Sequence, residues 1–299
     1  MEDRKATGYV YEPFAETQEY QDVNRRIVRG WVDTMIAAGT RHVRSLVDVA
    51  CGVGTMACLF LENAPAAWGQ PHVTLVDMSG EAIEQATPRV QPRVSGLDSI
   101  CGRIQDVELP EAKFDVALWG NGIHYLDEDE QERALAALRH AMRPGGWLLF
   151  NSAFTAESRP EDTLPFYRAQ IARAARYLQS MGIKRRRTET RPNSSRFLPQ
   201  AHYADLLTRV GFSVQEIGSV AARLYQTAWE HISGFAQYAA GALHGYAEEA
   251  ASTAMRLAVA PAIEQYGERD NENRLYVTRN WLSAVARVTD TGETAAESS

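Results

Sequence analysis

Cysteine is scarce in this chain. Its 299 residues include three, Cys51, Cys58 and Cys101, an odd number with neither metal-ligand spacing nor a disulfide framework. That fits a reducing compartment, and a cytoplasmic location is expected. Long apolar runs are missing too: none approaches the roughly 18 to 20 residues that span a bilayer. The first residues, Met1-Glu2-Asp3-Arg4-Lys5, are charged with no apolar stretch behind them, so neither a signal peptide nor a membrane partner is expected. Positive charge is in deficit, with a net charge of −7. A nucleic-acid partner is not expected, because phosphate neutralisation draws on a basic surface. One segment runs the other way: Lys184-Arg185-Arg186-Arg187, with Arg191 and Arg196 close behind. Blocks of like charge repel and stay solvated, so the run reads as an exposed loop, with capture of an anionic acceptor as the alternative.

Residues 44–154 alternate short apolar segments with helical patterns, the signature of a parallel sheet covered by helices. The strand candidates are Ser45 to Val49, Val73 to Asp77, Ile100 to Gln105, Phe114 to Trp119 and Trp147 to Phe154. Their Val, Leu and Ile content suits strands buried on both faces. Before the fifth, Leu135, Leu138 and Met142 share a helical face, Asp127 to Glu130 supply negative charge at its start, and Pro144-Gly145-Gly146 stops it. Right-handed crossovers put the strand C-termini on one edge, where such folds bind ligands. Ahead of the sheet, Val23, Ile27, Trp31 and Met35 fall at helical spacing. Behind it come a helix through Tyr167, Ile171, Ala174, Leu178 and Met181, and a strand from Phe212 to Ile217 that Val220 to Tyr225 extends or pairs with. One helix is then expected through Trp229 to Leu243, a second through Ala251 to Tyr266, and a last strand over 275–288. The expected organisation is a helical lid (1–40), an α/β core (41–154), a helical cap insertion (155–200), a continuation of the core (201–226), a second helical insertion (227–270), the last strand (271–290) and a frayed tail (291–299). No internal repeat is present.

The densest signal is Leu46-Val47-Asp48-Val49-Ala50-Cys51-Gly52-Val53-Gly54-Thr55: a buried strand, a glycine loop, then a helix. Gly52 and Gly54 permit positive φ and close approach of the backbone to a ligand, and the helix turns its N–H groups toward the same spot. Asp77, ending the second strand, can accept two ribose hydroxyls. Gln105 or Asp106, at the end of the third strand, is placed to meet an adenine amino group. The fourth strand runs Phe114-Asp115-Val116-Ala117-Leu118-Trp119-Gly120-Asn121 and ends on the same edge.

In this order the segments resemble the class I S-adenosylmethionine-dependent methyltransferase family, whose first motif is hydrophobic-Asp-hydrophobic-Gly-x-Gly-x-Gly. Asp48, Gly52 and Gly54 match it, with Ala50 in place of the first glycine. The resemblance implies that Asp77 binds the ribose, that Met78 lies beside the adenine, and that Asp106, with Gln105 as competitor, contacts the base. Asn121 to Leu126 is similar to the stretch that borders the transferred methyl, and Arg143-Pro144-Gly145-Gly146 to the turn before the fifth strand. The resemblance is clear over about residues 20 to 154 and loose beyond. It implies a doubly wound, mostly parallel seven-stranded sheet with an antiparallel last strand. It also implies S-adenosylmethionine as cofactor, S-adenosylhomocysteine as product, and a small-molecule acceptor taking the methyl on O, N or C.

Other residues keep two readings. His124 is a general base or a buried histidine closing its loop. Tyr20, with Tyr9 and Tyr11, covers the cofactor or packs the first helix; Trp119 flanks the adenosyl group or fills the core. Two further functions stay open: a non-catalytic adenosylmethionine-binding protein, and a nicotinamide-dependent oxidoreductase, because Gly52-x-Gly54-x-x-Ala57 also satisfies the looser dinucleotide fingerprint. Asp48 inside the strand, and the lack of a hydride-transfer constellation, weigh against the latter. A homodimer is left open.

Overall fold

Ser45–Val49 (β1) is buried at all five positions, and the other elements are arranged outward from it. A computed structural model describes residues 12–186 and 192–289; Tyr9, Tyr11, Arg187, Arg191 and the tail lie outside the described residues. After a single turn at Glu12–Ala15 (α1) and a long helix at Gln18–Ala37 (α2) come β1, Thr55–Asn63 (α3), His72–Asp77 (β2), Gly80–Val90 (α4), Gly96–Cys101 (β3), Phe114–Gly120 (β4), Glu128–Ala141 (α5) and Met142–Ser152 (β5). The remainder is Leu164–Ser180 (α6), Gln200–Arg209 (α7), Phe212–Tyr225 (β6), Gln226–Gly234 (α8), Ala236–Ala242 (α9), Glu248–Leu257 (α10), Val259–Tyr266 (α11), Glu268–Arg269 (β7) and Leu275–Val288 (β8). The strand order is β3-β2-β1-β4-β5-β8-β6, with the two-residue β7 paired only to β8. β1 to β5 pair in parallel, and β8 runs antiparallel to β5. This is the expected doubly wound sheet with its antiparallel last strand.

The chain divides into two compact units. One comprises Asn24–Ser152, Leu198–Gly218 and the segment from Leu282; the other comprises the chain through Val23, Ala153–Phe197 and Ser219–Trp281. In the sheet unit the period of two separates the faces. Val47, Phe150, Leu282 and Ala284 join Leu135 and Leu138 of α5 and Tyr203, Leu206 and Leu207 of α7 in one core. Each such aliphatic burial contributes about 1.5–3 kcal/mol. The intervening residues serve the opposite face: Asn151 donates to Asn24 of α2 at 2.6 Å, and Ser283 accepts from the Trp31 indole of α2 at 2.9 Å. α5 starts at a full capping box between Asp127 and Glu130, which satisfies two otherwise orphaned N–H groups.

The sequence predicts a turn at Arg143–Gly146 ahead of the fifth strand, but β5 already begins at Met142, and these residues form an irregular start to it that is fixed by space. A Cβ on Gly146 would stand 2.9 Å from the Arg143 carbonyl oxygen, so Arg143–Gly146 loops out where the β4–β5 register jumps between Phe114 and Val116. Below it, Asp115 accepts from the N–H groups of Arg44 and Ser45 and pairs with Arg143 at 2.6 Å.

Three further expectations need correction. The third strand is Gly96–Cys101, not 100–105; the run past Cys101 turns instead at Arg103, whose carbonyl accepts from the N–H groups of Asp106 and Val107. The helix expected through Trp229 to Leu243 is two, because Phe235 takes an extended conformation (φ −75°, ψ 122°). The one expected through Ala251 to Tyr266 breaks at Ala258. Pro261 lies three residues into α11, and its ring would clash with the carbonyl four residues earlier in a continuous helix. Among the described residues no helix is long and apolar enough to cross a membrane.

Candidate functional site

The strand order reverses at β1: the chain proceeds outward to β2 and β3, then returns to place β4 on β1's other side. In open α/β sheets that switch point leaves a crevice at the strand C-termini. The two strands flanking it end in backbone strain. Ala50, just past β1, has φ +50°, and Asn121, just past β4, has φ +49°. A left-handed alanine costs about 1–2 kcal/mol, and such outliers persist where the surroundings over-determine them. The surroundings here are tight. A Cβ on Gly122 would lie 2.7 Å from the Ala50 Cβ and 2.5 Å from the Trp119 indole nitrogen. Asn121 is tied down by its N–H, which donates to Asn151.

From Ala50 the loop alternates in hand, with Gly52 at φ +52° and Gly54 at +79°. Its position is set from β2: the Gly52 N–H donates to Asp77 Oδ2 at 2.8 Å, the Ser79 N–H to Asp77 Oδ1 at 2.9 Å, and the Cys51 N–H to the Val76 carbonyl at 3.1 Å. Each carboxylate oxygen of Asp77 accepts one backbone bond and keeps lone-pair capacity for a ligand. Helix α3 begins behind Gly54, which has no side chain to cap it. Asp48, from inside β1, does so instead: its Oδ2 accepts the Ala57 N–H at 3.1 Å, satisfying one of the helix's four orphan donors. Asp48 Oδ1 and Thr55 Oγ1 are buried without hydrogen-bond partners among the described residues. Burial pushes the Asp48 carboxyl up to about 8, with the charge of Asp77 adding to the rise and the Ala57 N–H opposing it. Burial, followed by the negative charge of Asp48, also pushes the Cys51 thiol up, so it does not offer a thiolate nucleophile.

The remaining sequence-predicted residues separate. Met78 is 72% exposed, a large apolar side chain left open directly after Asp77. Gln105 and Asp106 both lie in the turn after β3. The Gln105 amide is engaged, its oxygen accepting from the Arg103 guanidinium, whereas the Asp106 side chain is 58% exposed and among the described residues meets only the Arg103 guanidinium, at 3.8 Å. Trp119 is 1% exposed and part of the core cluster, so its ring presents no face to a ligand. Tyr20 is buried edge-on against Phe14 in the helical unit. His124 is 3% exposed, with Nδ1 3.0 Å from the Ser152 hydroxyl and its ring 4.1 Å from that of Tyr125.

Sequence reasoning missed what holds the loop after β4. Gln131 of α5 donates to the carbonyls of Ile123 and Leu126 and meets His202 of α7 at 3.2 Å. A glutamine on the apolar stripe of α5, one turn before Leu135, was the available signal.

This geometry coincides with a family signature: the sequence profile described as "Methyltransferase domain" matches residues 46–146. Over residues 46–146 the chain is similar to a methyltransferase domain. The match starts inside β1 and ends at Gly146, and it favours the methyltransferase reading of the glycine loop over the nicotinamide one. Solved structures agree on the fold. A candidate methyltransferase of Bacillus halodurans gives a TM-score of 0.53 at 12% identity, over 86% of this chain and 98% of that one. The YcgJ protein of Bacillus subtilis gives 0.52 at 11%, over 88% and 98%. The [4+2]-cyclase SpnF gives 0.51 at 16%, over 89% and 81%. A search of curated proteins returns no match.

The cofactor of this methyltransferase class is S-adenosylmethionine, and the residues present fit it. Asp77 keeps spare lone pairs and Asp48 an unpartnered buried oxygen beside the loop, polar capacity suited to the hydroxyl and ammonium groups of such a ligand. Exposed Met78 offers apolar surface beside it.

Proposed function

We propose that this protein transfers the methyl group of S-adenosylmethionine to a small-molecule acceptor. The observation that carries the reading is the pair of strained strand ends, Ala50 and Asn121, facing each other across the switch point, with the glycine loop tied to Asp77. Strain held at a ligand crevice is what a preorganised site looks like.

In this reading Asp77 takes the ribose hydroxyls, Met78 lies against the adenine, and Asp106, exposed where Gln105 is engaged, reads the base. Gly52 and Gly54 keep the backbone open to the amino-acid end, and Asp48 caps α3 behind the loop. The cofactor supplies a methyl already activated by positive sulfur, so the protein's task is alignment and exclusion of water. His124 closes its loop through Ser152 rather than moving a proton: a side chain 3% exposed is poorly placed to meet an acceptor. Tyr20 and Trp119 are packing residues.

A second reading has one supporting observation. The fold is shared with a protein named as a [4+2]-cyclase, so the fold does not by itself imply methyl transfer. The test is a screen of small-molecule extracts with methyl-labelled cofactor. Transfer of label into an extractable product supports the proposal; cofactor binding with no transfer to any small molecule favours the second reading.

A further inference from the structure

The helical unit contains a cavity of about 420 Å³, within the size range of small-molecule sites. Its walls include Phe154, Tyr167, Phe197 and Tyr238, and two arginines, Arg159 and Arg279, reach it. Arg279 is fully buried. One terminal nitrogen donates to the Tyr167 hydroxyl at 3.1 Å and the other to the Ala153 carbonyl, while its Nε has no acceptor among the described residues. The guanidinium lies 5.1 Å from the Phe154 ring centre, and that of Arg159 lies 3.7 Å over the Phe197 ring. Neither forms an ion pair with a carboxylate among the described residues.

That arrangement is costly unless an anion completes it. A buried guanidinium loses its hydration, and aromatic faces return only part of that loss. A purely structural Arg279 would account for the bonds to Tyr167 and Ala153. It would not account for the idle Nε, nor for a second guanidinium drawn into the same cavity. Burial, followed by the charge of Arg279, pushes the Arg159 guanidinium down, as expected of two like charges without a counterion. Part of the basic run joins them: Arg185 also lines the cavity, its Nε held by the His244 carbonyl at 2.8 Å, and the Arg186 N–H donates to the Gly245 carbonyl at 2.7 Å. The side chains of 184–186 are exposed as expected, but the backbone is docked rather than free. Gly245 is required there, since a Cβ would stand 2.5 Å from the Arg186 carbonyl oxygen.

We propose that this cavity binds a flat aromatic carboxylate, the guanidinium groups of Arg279 and Arg159 taking the carboxylate and the aromatic walls taking the ring. The planar fork of arginine matches a carboxylate, and aromatic walls favour flat faces. That this ligand is the methyl acceptor rests on the function proposed above; the preference for an anion does not.

The test is calorimetric titration of the full chain with benzoate, 4-hydroxybenzoate and phenylacetate, each paired with its uncharged amide, in parallel with S-adenosylhomocysteine. At least one acid should bind about tenfold or more tightly than its amide. Arg159→Gln and Arg279→Gln should each weaken that acid by about tenfold or more while leaving the affinity for S-adenosylhomocysteine within about threefold. If Arg279→Gln does not fold, Arg159→Gln, at a partly buried position, decides alone. Equal binding of acids and amides, no binding of any acid at millimolar concentration, or full affinity in Arg159→Gln would overturn the proposal. Acid binding in a protein that ignores S-adenosylhomocysteine would leave the anion site standing and remove the acceptor assignment.

Discussion

Removing the Asp77 carboxylate perturbs the site in two separable ways. In the free protein, Asp77 accepts the Gly52 and Ser79 N–H groups at 2.8 and 2.9 Å. Asp77→Ala strands both donors. Bonds to a charged acceptor are worth about 1.5–3 kcal/mol each, and with the side chain 8% exposed water compensates only in part. A stability loss of about 2–4 kcal/mol is expected by denaturant titration. In the complex, the same carboxylate would accept two ribose hydroxyls, and losing both weakens binding by about 10² to 10⁴-fold. The two effects can be told apart by titrating adenosine and 2′-deoxyadenosine into the wild type and into Asp77→Ala. If Asp77 touches the ribose, the substitution costs less for the deoxynucleoside, and the cycle shows coupling of about 1 kcal/mol or more. If it only holds the loop, both nucleosides lose equally. Unchanged stability and unchanged affinity together would refute the placement of Asp77 altogether.

Three other perturbations bear on the same site. The Asp48 carboxyl, pushed up to about 8, retains in the folded state a proton that the unfolded chain releases near 3.8. Its contribution to stability is therefore present below 3.8 and lost as pH rises toward 8, by at most about 1.4 kcal/mol per pH unit. Asp48→Asn should flatten that slope in denaturant titrations, while S-adenosylmethionine should bind the wild type more tightly at pH 9 than at pH 6. His124→Gln should keep turnover within about threefold with an unaltered pH profile, losing about 1–2 kcal/mol of stability with the Ser152 bond; loss of the rising limb on the acidic side of the rate profile would restore His124 as a base. Gly54→Ala, at φ +79° with its new Cβ 3.1 Å from Ala86 Cβ and Val90 Cγ2, should cost about 2–4 kcal/mol in thermal unfolding, and a neutral result would show that the loop adapts.

The sheet was legible because its strands carry their own evidence. Ser45–Val49 and Leu275–Val288 end where composition changes, and Asp77 sits at a strand end readable from Val73 onward. β3 was misplaced because Gly96–Cys101 is half-exposed, so its apolar content is too low to stand out against the residues that follow. The paired helices were fused because an apolar stripe continues in phase across Phe235 and Ala258; the breaks come from one extended residue and from Pro261. At the site, residues acting through backbone were recognisable as glycines, and Ala50 and Asn121 show what glycine spacing cannot: strain accepted without glycine. Trp119 could not be assigned from sequence, because a strand-end aromatic faces ligand or core according to which way the strand pleats. The cavity arginines were missed for a similar reason. Arg279, in the apolar-rich strand Leu275-Tyr276-Val277-Thr278-Arg279-Asn280-Trp281, was a visible anomaly, but its neighbours Arg159 and Tyr238 are brought to it only by the fold.

The central claim is that the loop between β1 and α3, tied to Asp77, holds an adenosylmethionine-type ligand. Isothermal titration with S-adenosylhomocysteine tests it without knowledge of any acceptor. One site per chain is expected, with an affinity that falls in Asp77→Ala and persists in Arg279→Gln. A folded wild-type protein giving neither heat nor a thermal shift with S-adenosylhomocysteine or S-adenosylmethionine would contradict it.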